Sequence, residues 1–128
     1  MNMSFQGFFA ILLSVTLVTA CSIHKPCHEG GDVSWNPKIN GDMKCTQKKL
    51  PNGKIVNDGL FRQGYNSTNE IALEGQFVDG QKQGLWMYYG EDRHLKTIKF
   101  FEKGIEKTPP PEAQKQIDLI IQQKTGMK

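Results

Sequence analysis

The chain has 128 residues, 38% of them hydrophobic, with 16 basic against 13 acidic side chains. That length suits one small domain and is too short for two well-formed cores. A net charge of +3 with no run of basic residues argues against nucleic-acid binding and reads as an ordinary solvated surface, slightly favourable to anionic lipid.

The N-terminus opens with an apolar run, Phe8 to Ala20, of thirteen residues without charge or proline. A membrane-spanning helix needs about 20 apolar residues, and the polar chain from His24 onward prevents extension. The run closes on Val18-Thr19-Ala20-Cys21, where small residues would admit a peptidase beside a nucleophilic thiol. This arrangement resembles the signal peptide and lipobox of a bacterial lipoprotein. It departs from that pattern in one respect, since Met1 to Gly7 contains no Lys or Arg. The resemblance implies cleavage between Ala20 and Cys21 and acyl chains, palmitate among them, on Cys21. Ser22 after Cys21 resembles the enterobacterial signal for the outer membrane. The expected location is therefore the bacterial cell envelope, on the periplasmic or outer face, with residues 1–20 removed.

Lipidation of Cys21 leaves two of the three cysteines, Cys27 and Cys45. In an oxidising compartment such a pair is expected to form a disulfide. The clamped segment is rich in Gly and Pro and has little hydrophobic periodicity, so a staple would suit it. Metal binding is the sharper alternative, because His24, Cys27 and His28 offer imidazole and thiolate ligands. A structural zinc site wants four ligands, however, and the remaining His94 is distant in sequence, so no metal or cofactor is expected.

In chain order, residues 21–40 read as a lipidated tether and irregular lead-in, polar and rich in Gly, Pro and His. Residues 41–107 read as a β domain. Its first part holds short strand-like pieces, Lys54-Ile55-Val56 and Leu60-Phe61, divided by the turn signals Pro51-Asn52-Gly53 and Asn57-Asp58-Gly59. Three stronger strand candidates follow: Ile71 to Val78, Leu85 to Tyr89 and Leu95 to Glu102. Phe77, Trp86, Tyr88, Ile98 and Phe100 fall at period-two positions in them. Asp79 to Gly84 and Gly90 to His94 are the expected links. Residues 108–128 form a Pro-rich lead-in and a helix with Ala113, Ile117, Ile120 and Ile121 on one face, and Gly126 is placed to end it. That apolar face is expected to pack on the sheet.

Residues 75–104 carry a second resemblance. Gly75, Phe77, Gly80, Gly84, Trp86 and Tyr89, followed by Phe101 and Gly104, are similar to a bacterial MORN-type repeat of the variant labelled antitoxin-like. Gly59, Phe61 and Gly64 resemble a degenerate preceding unit that lacks the Gly-x-Trp half. The resemblance implies a mainly β fold, an antiparallel hairpin or meander sheet of repeat units. Repeats of this kind normally need about three neighbours to bury their faces, and the C-terminal helix is the expected substitute.

No Gly-x-Ser-x-Gly elbow, phosphate-binding loop or His-Glu-x-x-His is present. The cluster Glu91, Asp92 and His94 is explained by a polar turn. The expected function is a non-enzymatic, membrane-anchored protein-binding or scaffold module whose partner is an envelope protein, with Trp86, Tyr88 and Tyr89 as candidate contacts. Strand alternation allows either Trp86 and Tyr88 or Met87 and Tyr89 to face outward. An immunity or antitoxin-like protein that neutralises a periplasmic toxin is the alternative, and an envelope metal-handling factor is a more distant one.

Overall fold

The computed structural model describes residues 24–33 and 36–126. Cys21 and the cleavage position after Ala20 lie outside the described residues. The fold is mainly β, a six-stranded antiparallel meander followed by one helix. The strands are β1 (Met43–Lys49), β2 (Ile55–Gly64), β3 (Ile71–Val78), β4 (Gln81–Tyr89), β5 (Leu95–Glu102) and β6 (Ile105–Lys107), and the helix α1 is Pro111–Thr125. Spatial order follows chain order, so every connection is local and β1 and β6 are the two edges.

Two of the hairpins turn on the same chemistry. Asp79-Gly80 (φ 53° and 82°) and Lys103-Gly104 (φ 50° and 81°) both place two consecutive residues in the left-handed region, which matches the twist of two-residue hairpins. The tightness of the first turn corrects the expected link Asp79 to Gly84: β4 begins at Gln81, Gln81 to Gln83 pair with β3, and Gly84 pairs with Phe101 of β5. The second turn adds β6, a strand the hydrophobic pattern does not announce.

Asn57-Asp58-Gly59 is likewise not a turn. It lies inside β2, which fuses the two expected short pieces into one ten-residue strand. Between the pairs Cys45↔Phe61 and Gln47↔Asn57, three β2 residues stand opposite Thr46, with Gly59 at φ 105°. The Thr46 hydroxyl closes the irregularity by donating to the Asp58 carbonyl at 2.5 Å. The β3–β4 hairpin repeats this device: Gly84, Leu85 and Trp86 stand opposite Gly75 between Glu74↔Met87 and Gln76↔Gln83, with Gly84 at φ 74°. Both irregularities contain a Gly-Leu pair, Gly59-Leu60 in β2 and Gly84-Leu85 in β4. Bulges of this kind bend and twist a strand.

That core lies on one face. Phe61, Phe77, Trp86 and Phe101 are buried together, with Phe77 and Trp86 edge to face at 5.0 Å between ring centroids and Phe61 and Phe77 at 5.3 Å. The preceding segment covers them: Cys27 and Val33 pack on the cluster, and a three-residue 3-10 turn (Cys27–Glu29) starts the cover. The opposite face buries less. Ala72 and Tyr89 are enclosed there, as are Ala113 and Ile117 of α1, which packs mainly on β4 and β5. The helix therefore packs on the sheet as its apolar face requires, though Ile121 is 44% exposed. Pro111 sits at its start, Lys124 in its last turn, and the Gly126 N–H closes it on the Gln122 carbonyl.

Candidate partner-binding face

Because α1 packs mainly on β4 and β5, much of the helix-side face of β1, β2 and β3 is left open. The space between it and the helix is a groove of about 690 Å3, bordered by Lys44, Leu60, Arg62, Glu74, Met87 and, from the helix, Gln116. Leu60 is 67% exposed; a single exposed leucine is ordinary, but this one borders a groove that also holds Leu85 and Met87. The floor at Gly75 and Gly84 carries no side chain on either strand.

One end of the groove is held in shape by a small network. The Arg62 guanidinium donates to Glu74 Oε2 at 3.1 Å, and the Tyr89 hydroxyl donates to Glu74 Oε1 at 2.8 Å. Burial first, and then the hydrogen bond to Glu74, holds the Tyr89 phenol well above its ordinary pKa. The Lys124 ammonium of α1 lies 5.3 Å from the Tyr89 ring centroid, which ties the helix to this network.

The three aromatic residues singled out from the sequence are placed differently from one another. Trp86 is fully enclosed at the centre of the core and presents no surface to a partner. Tyr88 shares its face and is half-buried against the same cluster. Tyr89 shares the helix-side face with Met87, at 3.5 Å from its sulfur, and is buried. Of the two alternatives that alternation left open, the Met87 side is the open one. The residues that line it, Leu60, Leu85 and Gln116, escaped the sequence reading. Their one signal was the repeated triplet Gly-Leu-aromatic, in which a leucine beside a buried aromatic must point to the other face.

On the core side, the Cys27–Cys45 disulfide is present, with Cα atoms 5.9 Å apart. It consumes the Cys27 thiol, so Cys27 has no thiolate to add to His24 and His28. Among the described residues no group of three or more His, Cys, Asp or Glu side chains could hold a metal ion. Beside the disulfide, Asn57 is 1% exposed and fully engaged: its amide donates to the Cys27 carbonyl at 2.8 Å and accepts from Gln47 at 3.0 Å. Its backbone N–H donates to the Gly30 carbonyl at 2.7 Å. Further along, Gln63 donates to the Ile39 carbonyl at 2.6 Å. Among the described residues, the expected tether is therefore pinned to the sheet at Lys25, Cys27, Gly30 and Ile39.

Lys82 is the other unusual group on this side. Its ammonium lies 5.1 Å from the Trp86 ring centroid and 5.0 Å from that of Phe101, and burial pulls its pKa down. In the β4–β5 turn, Asp92 accepts from the His94 N–H at 3.1 Å and from Lys96 at 3.1 Å, as a turn clamp does. No helix among the described residues is long and apolar enough to cross a membrane. No protein-family model, curated protein or solved structure matches the chain.

Proposed function

We propose that this protein is a lipid-anchored, non-enzymatic module of the bacterial cell envelope that binds a protein partner on the open helix-side face of its sheet. The observation that carries the reading is the exposed Leu60 in a groove shared with Leu85, Met87 and Gln116. Apolar side chains flanked by Lys44, Arg62 and Glu74 give the mixture of apolar centre and polar rim that protein interfaces use. The anchor rests on Val18-Thr19-Ala20-Cys21, and an oxidising compartment is consistent with the Cys27–Cys45 bridge.

Affinity capture of the full-length lipoprotein from its native envelope tests the reading. Leu60→Asp should abolish capture, while Leu119→Asp, on the exposed side of the helix, should leave it intact. Equal capture by both variants would refute this face as the binding surface. A toxin as the captured partner, with growth inhibition when the gene is deleted, would identify the module as an immunity protein. For the anchor, Cys21→Ala should abolish lipid labelling; unchanged membrane attachment would refute it.

A further inference from the structure

The positive charge of this chain is concentrated in one stretch, and the fold sets that stretch at one edge of the sheet. Residues 24–54 contain six lysines (Lys25, Lys38, Lys44, Lys48, Lys49 and Lys54) against three acids (Glu29, Asp32 and Asp42). Basic and acidic side chains balance at ten each in residues 55–128, so the whole net charge of +3 belongs to the first stretch. Four of these lysines lie on β1 or its turn to β2, and residues 43–54 hold no acid at all. They are exposed. Lys48 is engaged by Asp58 and Asp79, whereas Lys25, Lys44, Lys49 and Lys54 form no ion pair among the described residues. At the other edge most of the charges are spent on each other: Lys99 pairs with Glu106 at 3.2 Å and Lys107 with Glu102 at 2.7 Å, which leaves Lys103.

The same edge is where the chain leaves for its anchor. The Lys25 N–H donates to Gln47 of β1 at 3.0 Å, and Cys27 is bonded to Cys45 of β1. Four residue steps separate Lys25 from Cys21, a reach of at most about 14 Å for a fully extended chain. That is close to the Debye length of about 8–10 Å at physiological ionic strength. An acylated Cys21 would hold the lysines of β1 where an anionic surface can act on them.

We propose that β1 is a membrane-facing edge, docked through Lys25, Lys44, Lys49 and Lys54 onto the phosphate-bearing headgroups of an anionic bilayer. The inference rests on the anchoring reading above. Lysines on an edge strand also deter pairing with another chain, but that role needs no asymmetry between the two edges and no proximity to the anchor. Docking fixes the orientation of the domain, with β6 at the edge of the sheet farthest from the bilayer.

The test uses the mature lipoprotein purified from its membranes and reconstituted into phosphatidylglycerol or phosphatidylcholine vesicles, followed by amine acetylation mapped by mass spectrometry. Acetylation of Lys25, Lys44, Lys49 and Lys54 should fall about fivefold in phosphatidylglycerol relative to phosphatidylcholine, the factor equivalent to ~1 kcal/mol per basic residue near an anionic surface. Lys103, Lys107 and Lys115 should not change, and high salt should erase the difference. The triple variant Lys44→Gln, Lys49→Gln, Lys54→Gln, with near-UV circular dichroism unchanged, should lose the protection at Lys25. Identical footprints in the two vesicles, with the protein floating in both, would overturn the docked edge and leave the anchor standing. Failure to float with phosphatidylcholine would overturn the anchor, and the docked edge with it.

Discussion

Gly75 lies flat against the indole of Trp86, so close that a Cβ at position 75 would overlap the ring. Trp86 is fully buried and wedged between Phe77 and Phe101, and therefore has nowhere to go. Gly75→Ala should lower stability by roughly 1–3 kcal/mol, the usual cost of overpacking a closed core, read as a fall in urea midpoint. Gly84→Ala is the informative comparison. A Cβ there meets nothing, yet φ is 74°, so its cost of about 1–2 kcal/mol is backbone strain alone. Trp fluorescence should shift in the first variant and stay unchanged in the second.

The Cys27–Cys45 bridge closes a separation of 18 residues. In the chain-entropy model such a loop contributes about 3 kcal/mol. The double substitution Cys27→Ser, Cys45→Ser should lower the unfolding free energy by that order, and adding dithiothreitol to the parent protein should reproduce the loss. A stability unaffected by either treatment would show that the cover is held by its hydrogen bonds alone.

Asn57→Ala removes the amide that satisfies the Cys27 carbonyl and Gln47 together. Leaving buried polar groups unpaired costs roughly 1–3 kcal/mol. Amide hydrogen exchange should accelerate across residues 26–33 before it does in β4 and β5. Uniform acceleration would mean that Asn57 supports the whole sheet and not the cover specifically.

All three tyrosines of the chain, Tyr65, Tyr88 and Tyr89, have pKa values raised chiefly by burial, with Glu91 beside Tyr65, Glu106 near Tyr88 and Glu74 bonded to Tyr89 adding to it. A raised folded-state value means that these phenols stabilise the fold fully below the unfolded value of ~10. That contribution falls as pH rises from there towards the folded-state values. Tyrosinate absorbance should therefore appear above the ordinary phenol range and coincide with loss of the near-UV signal. Titration of any tyrosine at its ordinary pKa in the folded protein would contradict its burial.

Strand existence was legible where side chains alternate and a turn dipeptide follows: Ile71 to Val78 ends on Asp79-Gly80, and Leu95 to Glu102 was read to its ends. The same dipeptide chemistry misled at Asp58-Gly59. Asp-Gly supplies a positive φ either for a turn or for a bulge, and only the pairing of Cys45 with Phe61 distinguishes them. β6 was illegible because Ile105, Glu106 and Lys107 are all exposed and exist as a strand through their pairing with β5. The groove was hidden for a related reason. Leu60 reads as a core residue on hydropathy, and it is left bare because α1 packs mainly on β4 and β5.

The sequence by itself determined the local features: the alternating strands, a turn following Val78, the amphipathic helix of the Pro-rich C-terminal stretch, and the pair of cysteines available to each other. Each depends on residues a few positions apart, or on simple counting. Tertiary structure decided what depends on the two faces of the sheet and on its edges. Alternation states that Trp86 and Met87 point opposite ways, but it is silent on which way is inward. That choice was made when the segment beginning at Lys25 covered one face and α1 covered only part of the other. The burial of Trp86 and the exposure of Leu60 follow from that packing.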